Sequence, residues 1–326
     1  MFREGQGVEA AIKTEGLAKD YHVGFWRRRV RALHDLNLEV SAGEVFGYLG
    51  PNGAGKTTTL KLLMGLVHPT AGRATILGRD FREVPVKDAV GFLPENPYFY
   101  EYLTGREFLD YYGRLFGLPA RTRRERADRL LDEVGVAAAA DLPLRKYSKG
   151  MLQRIGLAQA LINDPRLIVL DEPMTGLDPL GRKEIRDLIL RLKGAGKTIF
   201  FSTHIIPDVE VICDRVGILF GGELVTLGPL EALLGTRLES LEIIYSGVPP
   251  GATAALPGPW VRPPVHVGSR TILAVADEAI ANRVVRTLVE HGATIHGVIP
   301  TRQTLEEAFV QQIEERRRAQ DPGHRG

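Results

Sequence analysis

The 326-residue sequence predicts an α/β domain on a largely parallel sheet, interrupted by a helical insertion and followed by a small α+β module. Three observations predict it. Val45-Phe46-Gly47-Tyr48-Leu49, Leu167-Ile168-Val169-Leu170 and Thr198-Ile199-Phe200-Phe201 are near-continuous apolar runs, which suit strands buried on both faces between helices. From Thr104 to Ile162 the strand signals fade and helices dominate. Beyond Leu234-Gly235-Thr236 short strands and helices mix in a module of about 90 residues, small for a domain yet foldable when docked on a neighbour.

Within the insertion, Thr104 and Glu107 form a plausible capping box. Phe108, Leu109, Tyr112, Leu115 and Phe116 follow at helical spacing as one apolar face, and Arg121 to Val134 reads as a second, highly charged helix. In the last module a strand (Leu241 to Tyr245) leads into a Pro/Gly-rich loop (Pro249 to Pro264). A strand (Thr271 to Ala276), a helix (Glu278 to His291), a strand (Ala293 to Ile299) and a final helix (Thr304 to Arg318) complete it. The domains are set at 1–235, with the helical part at about 96–165, and 236–326. No internal repeat is visible.

Bulk properties exclude several classes. A net charge of +2 is too small to argue for a nucleic-acid partner. Basic clusters at Trp26-Arg27-Arg28-Arg29 and Arg316-Arg317-Arg318 read as an exposed loop and a solvated tail, with attraction to anionic lipid headgroups as the alternative. The single cysteine, Cys213, allows no intrachain disulfide and reads as a buried, inert thiol. Met1 to Glu9 lacks the apolar core of a signal peptide. No run of about 18 apolar residues occurs to span a bilayer. The cytoplasm is the simplest compartment.

The chemistry begins at Gly50-Pro51-Asn52-Gly53-Ala54-Gly55-Lys56-Thr57, which fits G-x-x-x-x-G-K-[ST] at every fixed position. Glycines let the backbone curl so that its N–H groups face phosphate oxygens, and the helix starting near Lys56 adds its N-terminal dipole. Asn52, Gly53, Ala54 and Thr58 belong to the same cradle. Lys56 would reach the β/γ-phosphates of ATP, and the Thr57 hydroxyl would ligate Mg²⁺. The run ending at Leu170 carries Asp171-Glu172. Asp171 is a candidate Mg²⁺ holder, directly or through water, and Glu172 a candidate general base, with strand alternation turning them to opposite faces. His204, ending the next strand, could donate a hydrogen bond to the γ-phosphate. Ser148 in Tyr147-Ser148-Lys149-Gly150-Met151 caps a helix beginning near Met151. A helix start with Ser and Gly is also an anion site, here suited to a second protomer's nucleotide.

Together these motifs resemble the nucleotide-binding subunit of an ABC transporter: phosphate loop, helical insertion, signature, acidic strand, Gly176-Leu177-Asp178, then His204. The resemblance covers about residues 10–232. It implies a P-loop NTPase of ABC type, ATP and Mg²⁺, and a head-to-tail homodimer with each ATP between one protomer's loop and the other's Ser148 and Gly150. Asp178 would couple the two sites, and Tyr21 matches the aromatic that stacks on adenine. An integral-membrane permease is the implied partner, with this chain peripheral on the cytoplasmic face and no nucleic acid bound.

Two departures point to the subfamily serving ABC-2 type exporters. Glu95, in Phe92-Leu93-Pro94-Glu95, stands where the family usually has glutamine, and Lys149 and Met151 depart from Leu-Ser-Gly-Gly-Gln. Glu95 could join the Mg²⁺ site, though its carboxylate adds negative charge beside the γ-phosphate. Thr304-Leu305-Glu306-Glu307-Ala308-Phe309 is similar to that subfamily's closing motif. Tyr98-Phe99-Tyr100-Glu101-Tyr102 reads as an aromatic anchor for a helix of the membrane partner rather than simple core packing. The rival from another class is a soluble ABC ATPase acting on ribosomes or DNA, which typically carries two ATP units or long coiled coils.

Overall fold

The computed structural model describes residues 10–24, 28–233, 238–248, 256, 260–302 and 307. They divide into two compact units, residues 1–230 and 231–326. The first begins with two 14-residue strands, β1 (Ala10–Val23) and β2 (Arg28–Ser41). Then follow β3 (Val45–Leu49), α1 (Lys56–Leu63), β4 (Ala71–Ile76), β5 (Arg79–Asp80), α2 (Val84–Lys87) and β6 (Val90–Leu93). The helical insertion holds α3 (Gly105–Leu115), α4 (Ala120–Glu133) and α5 (Lys149–Leu161). After it come β7 (Leu167–Asp171), α6 (Pro179–Gly194), β8 (Thr198–Thr203), α7 (Ile206–Ile212), β9 (Arg215–Phe220) and β10 (Glu223–Pro229), and the short α8 (Leu230–Leu233) runs across the boundary between the units.

The three apolar runs become β3, β7 and β8, buried throughout as expected. They lie in a six-stranded sheet of order β10-β9-β3-β8-β7-β6, parallel except for the β10–β9 pair. Register pairs Leu49 with Thr203 and Asp171 with Ser202, so the C-terminal ends of β3, β7 and β8 open side by side. The crevice outside such strand ends is where open α/β sheets bind ligands.

A second sheet, order β2-β1-β4-β5, is antiparallel and was not foreseen. Its signal is the alternation Leu36, Leu38, Val40 along β2, three buried residues separated by exposed ones. One core joins both sheets and α1: Ile12, Leu38 and Ile76 from the antiparallel sheet, Leu60 and Leu63 from α1, and Phe46, Tyr48, Val169 and Phe200 from the parallel one. Phe200 stacks on Phe46 at 5.6 Å and tilts against Tyr48 at 5.3 Å between ring centroids.

The capping box at α3 forms in both directions: Glu107 N–H donates to the Thr104 hydroxyl, and Thr104 N–H to the Glu107 carboxylate. Phe108 and Leu109 are buried, but Leu115 is exposed, so the apolar face is narrower than its spacing predicts. The α5 helix starts at Lys149, two residues before the expected Met151, because the Ser148 hydroxyl caps it by accepting from Met151 N–H at 3.3 Å.

The second unit is a four-stranded antiparallel sheet, order β12-β13-β11-β14, with α9 (Glu278–Glu290) on one face. Its strands are β11 (Leu238–Ser246), β12 (Trp260–Val267), β13 (Arg270–Val275) and β14 (Thr294–Arg302). β12 corrects the expected loop from Pro249 to Pro264. Pro263 and Pro264 cannot donate to a ladder, but β12 is an edge strand with register shifts at Trp260/Arg262 and Arg262/Val265, where proline is tolerated. Leu234-Gly235-Thr236 and, apart from Glu307, the final helix with its closing motif lie outside the described residues, as do Trp26, Arg27 and Arg316 to Arg318. Among the described residues no helix is long and apolar enough to cross a membrane.

Because Phe200 fills the core between the sheets, Phe200→Ala is expected to destabilise the first unit by about 3–5 kcal/mol. Urea denaturation followed by tryptophan-independent circular dichroism checks this, and a loss under about 1 kcal/mol contradicts the packing described.

Candidate functional site

The phosphate loop leaves β3 at Leu49 and is fixed from three sides. Gly50 N–H donates to the Thr203 carbonyl of β8 at 3.1 Å, Ala54 N–H to Pro51 at 3.2 Å, and Gly222 N–H to Ala54 at 2.9 Å. Gly55, the N-cap of α1, has φ 109° and offers no side chain to the helix end. A Cβ there would lie 2.5 Å from the Ala32 carbonyl, so only glycine allows the close approach. Free N–H groups at a helix start are an anion site. The result is a cavity of about 240 Å³ lined by Ala32, the Pro51–Thr58 loop, Glu95 and Glu172.

Lys56 is 6% exposed and its ammonium donates to the Gly50 carbonyl at 2.6 Å and to Pro51 at 3.3 Å. It also pairs with Glu172 Oε1 at 3.2 Å. Glu172, 7% exposed, takes three partners in all: Lys56, the Thr175 hydroxyl at 2.9 Å and His204 Nδ1–H at 2.9 Å. A carboxylate so buried requires such pairing. The expected strand alternation of Asp171 and Glu172 does not hold, because Glu172 has left φ-negative space at φ 52°. That turn separates the two acids: Asp171 stays on β7, where it accepts from the Ser202 hydroxyl at 2.5 Å, while Glu172 swings towards Lys56. Ser202 also takes the Glu172 N–H on its hydroxyl at 3.1 Å.

The structure therefore brings Asn52, Gly53, Ala54, Gly55, Lys56, Thr57, Thr58, Glu95 and Glu172 to one pocket, while Gly50, Asp171 and His204 lie outside its lining, Gly50 and His204 hydrogen-bonded to lining residues and Asp171 adjacent to Glu172 in the chain. Tyr21 is not in the lining. It sits on β1, its ring 5.1 Å from the Lys19 ammonium. Beside it Asp20 ties the hairpin by ion pairs to Arg31 and Arg29, whose hydrogen bonds hold its carboxyl down to about 2.

Ser148, Gly150 and Asp178 are absent from this pocket. They meet in a second cleft of about 440 Å³ with Gly135, Met151, Arg154, Gly176 and Leu177. Asp178 caps α6 by accepting from Gly181 N–H at 2.8 Å, and Lys149 lies over Gly176, whose φ of 76° favours glycine. The aromatic run divides. Phe99 packs on Phe108 at 5.5 Å, whereas Tyr98 and Tyr102 are 81% and 72% exposed, so core packing and surface display share the segment. Cys213 is half-buried rather than buried as expected, and desolvation still pushes its thiol up, which keeps it unreactive.

Sequence reasoning missed Ser202 and Thr175, whose hydroxyls hold the two acids. The signal available was their place one strand over and three residues on from Asp171 and Glu172. It missed Ala32 too, whose carbonyl is set by the fold of β2 rather than by any motif.

The protein family described as ABC transporter matches residues 33–175. An uncharacterised ABC transporter ATP-binding protein of Nostoc sp. is 55% identical over 235 residues, 71% of this chain and 70% of that protein. The daunorubicin resistance ATP-binding protein DrrA3 of Streptomyces coeruleorubidus is 36% identical over 322 residues, covering 96% of this chain and 99% of its own. Among solved structures, a dimeric ATP-binding cassette in a post-hydrolysis state with ADP and Pi matches with a TM-score of 0.62. It is 26% identical and covers 67% of this chain and 98% of that one.

Since Lys56 alone supplies an ammonium to the pocket lining, Lys56→Ala is expected to abolish the rise in unfolding temperature produced by ATP. Saturation at 100 times Kd corresponds to about 2.7 kcal/mol of stabilisation. A differential scan in which the variant keeps the full shift contradicts the site.

Proposed function

The chain belongs to the ATP-binding proteins of ABC transporters, and from that premise we propose that it is the ATPase subunit of an exporter, working as a head-to-tail homodimer beneath a separate membrane permease. It binds ATP and hydrolyses it. The observation that carries the two-chain reading is the separation of half-sites: the phosphate loop lines one cavity, and Ser148, Gly150 and Asp178 line another. A nucleotide seated on one loop needs a second copy to bring those residues to it.

In the reaction, Lys56 and the loop N–H groups bind the phosphates, and an incoming γ-phosphate competes with Glu172 for the Lys56 ammonium. Glu172 then orients and deprotonates the attacking water. Its carboxylate stays aimed by Thr175 and by His204, which also serves the γ-phosphate. Thr57, Asp171 and Glu95 offer a hydroxyl and two carboxylates, hard oxygen donors that fit Mg²⁺. Bound there, Mg²⁺ supplies charge neutralisation for the phosphates and for the extra Glu95 carboxylate. Tyr21 stacks on adenine.

Export is supported by the likeness to DrrA3, named for daunorubicin resistance, which runs through both units of the chain. Exposed Tyr98 and Tyr102 are the anchors for a helix of the permease. The same relatives favour transport over a soluble ATPase acting on ribosomes or DNA. The subunit then works from the cytoplasmic face of the membrane, and ATP-driven closure of the dimer shifts the permease between states.

Glu172→Gln keeps the shape and removes the base. Turnover is expected to fall by about 10²–10⁴ while ATP stays bound and a dimer accumulates in light scattering. Turnover at the parent rate overturns the role of Glu172.

A further inference from the structure

The partner-facing cleft is formed by two helix starts, α5 at Ser148 and α6 at Asp178, which belong to segments some 30 residues apart. Something must hold them in one surface. Arg154 is the side chain placed to do so. It sits on α5 two turns beyond Ser148, its side chain 20% exposed, and forms an ion pair with Glu184 of α6. Its Nη1 donates to the Val134 carbonyl at the C-terminal end of α4 at 3.3 Å and lies over Gly135. Gln153, the residue before it, donates to the Pro173 carbonyl at 3.0 Å, in the loop directly after Glu172. The end of α4 and α6 thus meet on one guanidinium carried by α5, whose planar fork suits a carboxylate and a carbonyl together.

The placement has a second consequence. Arg154 lines the cleft with Ser148, Gly150 and Asp178, and also an adjoining one with Asp132, Glu133 and Asp187. None of these groups lines the phosphate-loop cavity.

We propose that Arg154, through its pair with Glu184, is a positioning residue for the half-site this chain presents to a second copy: it fixes Ser148 and Gly150 relative to Asp178. The proposal rests on the two-chain reading above. It requires that loosening the pair harm dimer closure while leaving the chain's own nucleotide pocket intact. A merely structural pair would move stability and both properties together.

The test is made in the full-length Glu172→Gln chain, adding either Glu184→Arg, which sets a like charge against Arg154, or Glu184→Gln, which keeps an acceptor. Glu184 is 44% exposed at its side chain, so both variants are compatible with folding. Monomer affinity is read with a fluorescent ATP analogue at low protein concentration, dimer dissociation by sedimentation with ATP, and folding by thermal unfolding. Glu184→Arg is expected to leave ATP affinity and unfolding temperature at parent values and to raise the dimer dissociation constant by on the order of tenfold. Glu184→Gln should recover most of that loss. An unchanged dimer constant in Glu184→Arg overturns the proposal, as does a joint fall in ATP affinity, dimerisation and unfolding temperature. A parent chain that binds ATP yet never dimerises overturns the two-chain reading and this proposal with it.

Discussion

The carboxylate of Glu172 sits where the low-dielectric sheet meets the phosphate loop, and its neighbours are arranged around that charge. An ion pair between two side chains 6–7% exposed is costly to desolvate and holds only where further hydrogen bonds complete it. Here Lys56 is completed by the Gly50 and Pro51 carbonyls, and Glu172 by Thr175 and His204. Reaching this position requires positive φ at Glu172, a strained conformation for a residue with a side chain, and such strain persists only where surrounding structure over-determines it. The supports are Ser202, which accepts the Glu172 N–H while donating to Asp171, and the parallel register that sets Ser202 beside Asp171. The order of the sheet, with β3 next to β8 and β8 next to β7, is thus what brings loop, histidine and acids together.

In the proposed reaction the same pairing links ligand binding to chemistry. An ammonium shared between the loop carbonyls and Glu172 is poised to transfer its attention to a phosphate, leaving Glu172 with Thr175 and His204 and a free lone pair for water. The other half-site lies in a separate cleft, and in the proposed dimer its residues reach a nucleotide across a two-fold assembly.

Legibility in the sequence followed the range of the interactions. The phosphate loop shows in the sequence because its eight residues form one continuous motif, although the backbone that crowds Gly50 and Gly55 comes from Leu219 and Ala32. Fully buried β3, β7 and β8 show as unbroken apolar runs for the same reason. The antiparallel sheet was harder to read, because β1 and β2 are half-exposed and mix charged residues with the apolar ones. β12 was hidden by Pro263 and Pro264, which look like a loop until the edge position is known. The left-handed turn at Glu172 was illegible, since nothing marks a glutamate for that region. Arg154 with Glu184 and Ser202 with Asp171 are pairs 30 or more residues apart that only the fold can introduce. The motifs mark most of the pocket's lining, and the fold adds the residues that hold that lining in place.

In the proposed dimer a working site takes its loop from one chain and its Ser148 from another. A complementation assay tests it most directly. Chains carrying Lys56→Ala and chains carrying Ser148→Arg, each inactive alone, are mixed and their ATP hydrolysis measured. A mixed dimer joins the intact loop of the Ser148→Arg chain to the intact Ser148 of the Lys56→Ala chain, so the mixture recovers hydrolysis. A mixture that stays as inactive as its components contradicts the claim.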